Sequence, residues 1–286
     1  MKTLKDIKFI AIAGAGTMGA GIAQICAAAG YTTILYDINE GAIQNGLAII
    51  TKNLDGAVDR GKMTQDQKSN ILSGIKTTTD PEEVKADLII EAVLEKLDVK
   101  KQLFATLAAV NGPDTILATN TSSIPVTQIA YGIPSPERVV GMHFFNPPHI
   151  MKLVEVVSGA STNEGIAYTI KELAEKLGKT AVMAKDSPGF IVNRVARHYY
   201  VEALKILEEN VTDLETIDEL MELSGFKMGP FKLMDLIGVD TNFEVTSSIY
   251  NQFQQDGKFR PSRIQKQKVD AGFHGKKTGK GFYNYQ

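Results

Sequence analysis

The fold is decided by a short stretch near the amino terminus, residues 9–19, which reads FIAIAGAGTMG. Its five leading apolar residues predict a buried strand, and GAGTMG matches the pattern G-x-G-x-x-G immediately before a helical pattern. The first glycine of this pattern permits a tight turn, the second lets the backbone approach a pyrophosphate, and the third allows close helix–strand packing. We therefore predict that a dinucleotide is bound by Gly14, Gly16, Thr17, Met18 and Gly19.

An acidic residue at the end of the second apolar run predicts which dinucleotide is bound. Asp37 lies eighteen residues after Gly19. A carboxylate at this position can bind the ribose hydroxyls of the adenosine and repels a 2′-phosphate. The sequence therefore predicts NAD rather than NADP as the cofactor.

The rest of the chain predicts two domains of different class. Up to Lys185, short apolar runs alternate with helical patterns, which predicts an α/β domain with a Rossmann-type, mostly parallel sheet. From Pro188 onward almost no strand pattern remains. We place an NAD-binding domain at residues 1–186 and an all-α domain for substrate binding and dimerisation at residues 187–286. Ser187 is predicted as the N-cap of the first helix of the second domain, with Pro188 at its first helical position.

Composition limits the classes of partner and compartment. A net charge of −2 gives no general attraction to nucleic acid or to an anionic membrane. No apolar stretch approaches the roughly 18 residues of a membrane span, and the amino terminus does not resemble a signal peptide. The single cysteine, Cys26, excludes an internal disulfide framework. We expect a cytoplasmic protein, and the histidine spacing predicts no metal site.

A lone carboxylate within an apolar run indicates where the chemistry takes place. Glu155 interrupts the run Leu153–Val157, which predicts a strand buried on both faces. A buried carboxylate is costly unless it is paired. The preceding run, Val139–Phe144, contains His143 near its end, and a hairpin-like return would bring the two side chains together. An imidazole held by a carboxylate is the arrangement of a general base, although an isolated histidine is more often a packed core residue.

Five further motifs accompany the glycine loop, in order, over almost the whole chain. They are NTSS (120–123), HFFNP (143–147), DSPGFIVNR (186–194), MGPF (228–231) and KTGKGFY (277–283). With these motifs the chain resembles the short-chain L-3-hydroxyacyl-CoA dehydrogenases, and most of all the bacterial 3-hydroxybutyryl-CoA dehydrogenases. The resemblance implies NAD-dependent, reversible oxidation of a (S)-3-hydroxyacyl-CoA to a 3-oxoacyl-CoA. It also implies a homodimer formed through the carboxy-terminal domain.

The resemblance also assigns roles to individual residues. It implies that His143 is the catalytic base, that Glu155 orients it, and that Ser122 and Asn193 contact the substrate oxygen. Further cofactor contacts are assigned to Glu95, Lys100, Asn120, Asn146 and Lys277. A contact between the CoA moiety and Lys52 is a weaker expectation, since Lys52 also fits a solvated helix face. Ser122 could instead cap a short helix before Pro125.

Two other functions remain open from the sequence. A dehydrogenase of the same architecture could act on a free hydroxy acid or a sugar acid, since only the CoA contacts would differ. A non-catalytic NAD-binding protein could keep the same fold. The presence of Ser122, His143, Glu155 and Asn193 together favours an enzyme.

Overall fold

The structure is a computed structural model that describes residues 2–285. The chain divides into two compact units, Met1–Ser187 and Pro188–Gln286. The first unit has an extended apolar core around its sheet, and the second has a separate core between its helices. Within residues 2–285, no helix is both long enough and apolar enough to span a membrane.

A single eight-stranded sheet forms the centre of the first unit. Its strands are β1 (Phe9–Ala13), β2 (Thr32–Tyr36), β3 (Ile75–Thr78), β4 (Leu88–Glu91), β5 (Ile116–Thr119), β6 (Val139–Phe144), β7 (Leu153–Ser158) and β8 (Thr180–Lys185). Their order is β3-β2-β1-β4-β5-β6-β7-β8, and every neighbouring pair is parallel except β6 with β7. This is the doubly wound order, in which the chain reverses direction across the sheet between β1 and β4. The predicted Rossmann-type fold is confirmed.

Six α-helices accompany the sheet within residues 2–187. They are α1 (Thr17–Ala28), α2 (Glu40–Asp59), α3 (Gln65–Ser73), α4 (Leu97–Val110), α5 (Val126–Ala130) and α6 (Glu164–Lys176). Local side chains explain where several of them begin. The Asn39 side chain accepts hydrogen bonds from the first turn of α2, and Asn163 does the same for α6. In contrast, α1 begins after Gly16 without a side-chain cap, so its first N–H groups are left to other partners.

One strand has no counterpart in the sequence pattern. β3 lies at the edge of the sheet and carries mainly polar side chains, of which Lys76 and Thr77 are exposed. Only the first of its four residues, Ile75, is apolar, so neither alternation nor an apolar run marks it.

Helices make up most of the second unit. They are α7 (Val192–Glu208), α8 (Leu214–Leu223), α9 (Pro230–Ile237), α10 (Val239–Gln252) and α11 (Arg263–Asp270). The predicted start of the first helix at Ser187 and Pro188 is wrong, because Gly189 and Phe190 have φ angles of 74° and 50°. These left-handed conformations form a turn that precedes α7. The φ of Gly189 favours glycine, and a Cβ there would also lie 2.6 Å from the end of the Ile249 side chain of α10.

Within the second unit, two buried carboxylates bind the carboxy-terminal tail to the helices. Asp218 accepts a hydrogen bond from the Phe231 N–H at the start of α9, at 2.8 Å. Asp235 accepts from the backbone N–H groups of Phe282 and Tyr283, at 2.8 and 2.9 Å. The Tyr283 hydroxyl also donates to Asp218 at 2.8 Å. The tail is therefore held by charge-assisted hydrogen bonds as well as by apolar packing.

Candidate active site

The turn between β1 and α1 leaves space for a pyrophosphate. Gly14 has a φ of 110°, and a Cβ on it would lie 2.6 Å from the carbonyl oxygen of Ala92. A Cβ on Gly19 would lie 1.7 Å from the carbonyl oxygen of Gly14, so a side chain there would separate the helix from the strand. Gly16 has no atom within 4 Å of its Cβ position and borders open space. The three predicted glycine roles therefore match the geometry of the loop.

The amino terminus of α1 provides a partial positive charge that can stabilise an anion at this loop. Thr17 is its first residue and is exposed, as is the preceding Gly16. Unpaired N–H groups at a helix start carry a partial positive charge and are a general phosphate site. The residues present therefore fit a dinucleotide phosphate.

A cavity of about 670 Å³ continues from the glycine loop past the end of β2 to α4. Asp37 lines it, with one carboxylate oxygen accepting from the Ala15 N–H at 2.9 Å and the other from the Asn39 N–H at 3.0 Å. Its walls include the apolar side chains Ile38, Val99 and Leu103. Ile38 is 84% exposed in the protein alone, which fits a surface that an adenine ring covers.

The structure brings His143 and Glu155 into direct contact. They lie opposite each other in the antiparallel pair β6–β7, and His143 Nδ1 is 2.7 Å from Glu155 Oε2. Both are buried, with 5% and 1% of their surfaces exposed. Because an ionised carboxylate only accepts hydrogen bonds, Nδ1 carries the proton and Nε2 is the basic ring nitrogen. The ring of Phe145 lies 4.5 Å from the imidazole, measured between ring centroids.

The residues after β5 lie at the same carboxyl end of the sheet. Asn120 Oδ1 accepts a hydrogen bond from the Phe144 N–H at 2.8 Å, which ties the end of β5 to the end of β6. Ser122 is half-buried, and its N–H donates to Glu95 Oε1 at 2.9 Å. The alternative role, as the cap of a short helix before Pro125, is wrong, because residues 121–125 are not helical and the nearest helix, α5, begins at Val126. Asn146 is exposed in the segment after β6.

Glu95 and Lys100, which were predicted as cofactor contacts, belong to one polar cluster. The Lys100 ammonium is 2.7 Å from Glu91 Oε1 and 3.1 Å from Glu95 Oε2. Lys100 is only 1% exposed, so in this structure its charge is directed at the two carboxylates. Sequence reasoning missed Glu91, although it shows the same signal as Glu155: a single carboxylate in an otherwise apolar buried strand.

A second cavity, of about 820 Å³, lies between α2 and the segment after β6. Lys52 and Arg60 line it together with His149, and Lys52 is exposed. Burial and the nearby positive charges of Lys179 and Arg60 lower the pKa of His149. Two of the side chains that line the cavity, Lys52 and Arg60, are cationic.

Acidic residues in the same cavity limit that positive charge. Asp55 and Asp59 also line it. Asp55 forms an ion pair with Lys68 of α3, so its charge is compensated within the protein. Lys52 and Arg60 therefore share the cavity with Asp59, whose negative charge offsets part of theirs.

Two predicted site residues belong to the second unit. Asn193 lies in the first turn of α7, where its carbonyl oxygen accepts from Arg197 Nε at 3.2 Å. Lys277 lies in the tail, and its ammonium is 2.7 Å from the Asp240 carboxylate. Within residues 2–285, no group of three or more histidine, cysteine or acidic side chains is arranged to hold a metal ion.

Comparisons with known proteins agree with the geometry. Residues 9–187 match the model of the 3-hydroxyacyl-CoA dehydrogenase NAD-binding domain, and residues 189–285 match the model of the 3-hydroxyacyl-CoA dehydrogenase C-terminal domain. The probable 3-hydroxybutyryl-CoA dehydrogenase of Bacillus subtilis (strain 168) is 43% identical over 98% of each chain. The structure of (S)-3-hydroxybutyryl-CoA dehydrogenase from Ralstonia eutropha superposes with a TM-score of 0.94 at 39% identity, covering 98% of this chain and 99% of that one.

Another relative is longer than this chain. The 3-hydroxyadipyl-CoA dehydrogenase of Escherichia coli (strain K12) is 48% identical over 98% of this chain, which spans 60% of that protein. The matched family models cover nearly all residues, and the Bacillus relative is matched from end to end. The predicted resemblance and the NAD-binding fold are confirmed, and the chain belongs to the 3-hydroxyacyl-CoA dehydrogenase family.

Proposed function

We propose that this protein reversibly oxidises the 3-hydroxyl group of a (S)-3-hydroxyacyl-CoA to the 3-oxoacyl-CoA, with NAD as the cofactor and His143 as the general base. The observation that carries this proposal is the buried hydrogen bond of 2.7 Å between His143 and Glu155. A proton acceptor in a shielded strand pair, held in one tautomer by a carboxylate, is what removal of an alcohol proton requires.

The chemistry divides between the cofactor and the protein. When bound, NAD accepts the hydride from C3 of the substrate. His143 Nε2 takes the hydroxyl proton, and the Glu155 carboxylate stabilises the imidazolium that forms. In the reverse direction the same imidazolium returns the proton to the carbonyl oxygen. Both side chains are buried, so water screens the attraction between the carboxylate and the imidazolium less than it would at the protein surface.

Ser122 and Asn193 complete the proposal as contacts of the substrate oxygen. The Ser122 assignment is supported by its place after β5, at the same sheet edge as His143. For Asn193 and Lys277, the support is the match of their motifs to the family. Lys52 is proposed as a contact of the CoA phosphates, supported by its exposure in the cavity beside α2. Asn120 and Asn146 are proposed to lie beside the nicotinamide.

We propose 3-hydroxybutyryl-CoA as the main substrate, since the Bacillus and Ralstonia relatives carry that name and match this chain end to end. A second candidate is 3-hydroxyadipyl-CoA, the substrate in the name of the relative at 48% identity. The two substrates differ at the far end of the acyl chain, where the second has a carboxylate.

A substrate panel tests the proposal. We expect turnover of acetoacetyl-CoA with NADH, and the ratio of its kcat/KM to that of 3-oxoadipyl-CoA decides between the two substrates. Free acetoacetate and sugar acids are the controls for the CoA moiety. A protein that reduces free acids but no CoA ester would contradict the proposal, as would one that binds NADH and reduces nothing.

The domain roles and assembly are also proposals. We propose residues 1–186 for NAD binding and residues 187–286 for substrate contacts and homodimer formation. Exposed apolar side chains on and after α8 support a subunit interface there: Leu220, Leu223 and Phe226. A cytoplasmic location is supported by the single, buried and unpaired Cys26. Sedimentation at several protein concentrations tests the dimer.

A further inference from the structure

Glu91 is a buried carboxylate that the reaction described above does not use. It is the last residue of β4 and is fully buried. In the sheet it pairs with Ala13 of β1 on one side and with Thr119 of β5 on the other. It therefore lies at the point where the strand order reverses, between the glycine loop and the segment that carries Ser122.

Every contact of the Glu91 carboxylate is short. Oε1 accepts from Lys100 Nζ and from the Val93 N–H, each at 2.7 Å. Oε2 accepts from Thr119 Oγ1 at 2.7 Å. Burial raises the pKa of Glu91, while the Lys100 charge and these hydrogen bonds act in the opposite direction. Such a carboxylate needs Lys100 as its partner.

Lys100 connects Glu91 to a second carboxylate. Its ammonium is 3.1 Å from Glu95 Oε2, and Glu95 is about a third exposed. Burial alone would raise the pKa of Glu95, but the Lys100 charge and the hydrogen bonds from Thr121 and Ser122 outweigh it and lower the pKa. The carboxylate of Glu95 is therefore held ionised and in place.

Glu95 in turn holds the turn that follows β5. Its Oε1 accepts from Thr121 Oγ1 at 2.6 Å, from the Ser122 N–H at 2.9 Å and from the Ser123 N–H at 3.0 Å. The backbone of this turn thus converges on one oxygen atom. A change in the position of Glu95 would move all three residues together.

We propose that Glu91 is a positioning residue, which acts through Lys100 and Glu95 to hold the turn Thr121–Ser123, and with it Ser122, at the carboxyl edge of the sheet. The proposal rests on the role of Ser122 in the proposed function. Packing alone does not account for the cluster, because apolar side chains of similar volume generally stabilise a buried site as well as an ion pair does. What the ion pair adds is a fixed direction for the Glu95 carboxylate.

The test uses the double variant Glu91→Gln with Lys100→Met, which removes the buried ion pair and, with it, the contact between Lys100 and Glu95 through which Glu91 is proposed to act. We expect a kcat for acetoacetyl-CoA, measured at saturating NADH, that is lower by about 10- to 100-fold, because the reacting groups are displaced. Lys101→Met is the matched control, since Lys101 lies on the same helix but over the Tyr131 ring, 4.9 Å from its centroid. It should keep the wild-type kcat.

Two further measurements separate positioning from general destabilisation. In the Ser122→Ala background the double variant should lower kcat by less than about threefold, since residues that act through the same group are not additive. In the free protein, amide hydrogen exchange of residues 121–123 should accelerate in the double variant and not in Lys101→Met. Unchanged exchange in these residues would overturn the proposal, whether or not the protein turns over a CoA ester. A full additional loss of kcat in the Ser122→Ala background would also overturn it. Inactivity of the wild type would count against the proposed function instead.

Discussion

Replacement of Glu155 by Gln perturbs the site at one atom and changes its volume very little. Glu155 Oε2 receives the hydrogen bond of His143 Nδ1 at 2.7 Å, and the carboxylate is only 1% exposed. The amide of Gln can occupy the same space, but it carries no charge. The variant therefore removes the stabilisation of the imidazolium while leaving the packing of β6 against β7 in place.

The size of the effect follows from that contact. A hydrogen bond to a charged group contributes about 1.5–3 kcal/mol, and each 1.36 kcal/mol changes a rate about tenfold. Since the pair is shielded from water, we expect kcat to fall by about 100-fold. The loss would approach about 10⁴-fold if the Gln amide donates to Nδ1, because the proton then moves to Nε2 and the base is lost.

The assay follows NADH oxidation with acetoacetyl-CoA as the substrate. The affinity for NADH, measured by fluorescence, should stay at the wild-type value, because the glycine loop and Asp37 are not altered. Glu172→Gln is the matched control, since Glu172 is exposed on α6. A Glu155→Gln protein with a wild-type melting temperature and a kcat within about twofold of the wild type would refute the reasoning.

Three further predictions concern the cofactor, acid stability and the second unit. Asp37→Asn should raise the KM for NADH by about tenfold and reduce the preference over NADPH, because the carboxylate that binds the ribose and repels a phosphate is lost; steady-state kinetics with both cofactors check this. The pKa of Glu95 is lowered from its ordinary value of 4.5. Its contribution to the free energy of unfolding is therefore present above pH 4.5 and is lost as the pH falls below that value. In urea unfolding from pH 6 to about pH 3, the free energy of unfolding should fall less steeply for Glu95→Gln than for the wild type. Asp218→Asn should lower the free energy of unfolding by about 1–3 kcal/mol, because the buried acceptor of the Phe231 N–H is weakened; the exposed Glu219→Gln is the control, and equal stability of both variants would contradict the role of Asp218.

The strongest local patterns predicted the centre of the fold. β1 matches its predicted range at Phe9–Ala13, and β6 matches at Val139–Phe144, because each is a short apolar run bounded by turn residues. The strand β3 could not be predicted in this way, since three of its four residues are polar and none of them is fully buried. The start of α7 could not be predicted either, because Gly189 and Phe190 have positive φ angles and form a turn where Ser187 and Pro188 predict a helix.

Part of the active site was predictable because it, too, is marked by a short local pattern in the sequence. A lone acidic residue in an apolar strand predicted a partner for Glu155, and the hairpin return suggested His143. The same signal was present at Glu91, but its partner Lys100 lies on a helix after an intervening loop. The sequence contains no pattern that specifies how α4 packs against β4. The contacts of Glu95 with the turn after β5 depend on sheet order as well, which only the folded structure shows.

The most direct test of the account is the rate of hydride transfer in a single turnover of His143→Gln, measured by rapid mixing with NADH and acetoacetyl-CoA. In this direction the His143 imidazolium donates the proton, and general acid–base catalysis contributes about 10²–10⁴-fold, so we predict a rate reduced by that factor with the affinity for NADH retained. Single-turnover conditions separate the proton and hydride step from product release. A His143→Gln rate equal to that of the wild type would contradict the assignment of His143 as the proton acceptor.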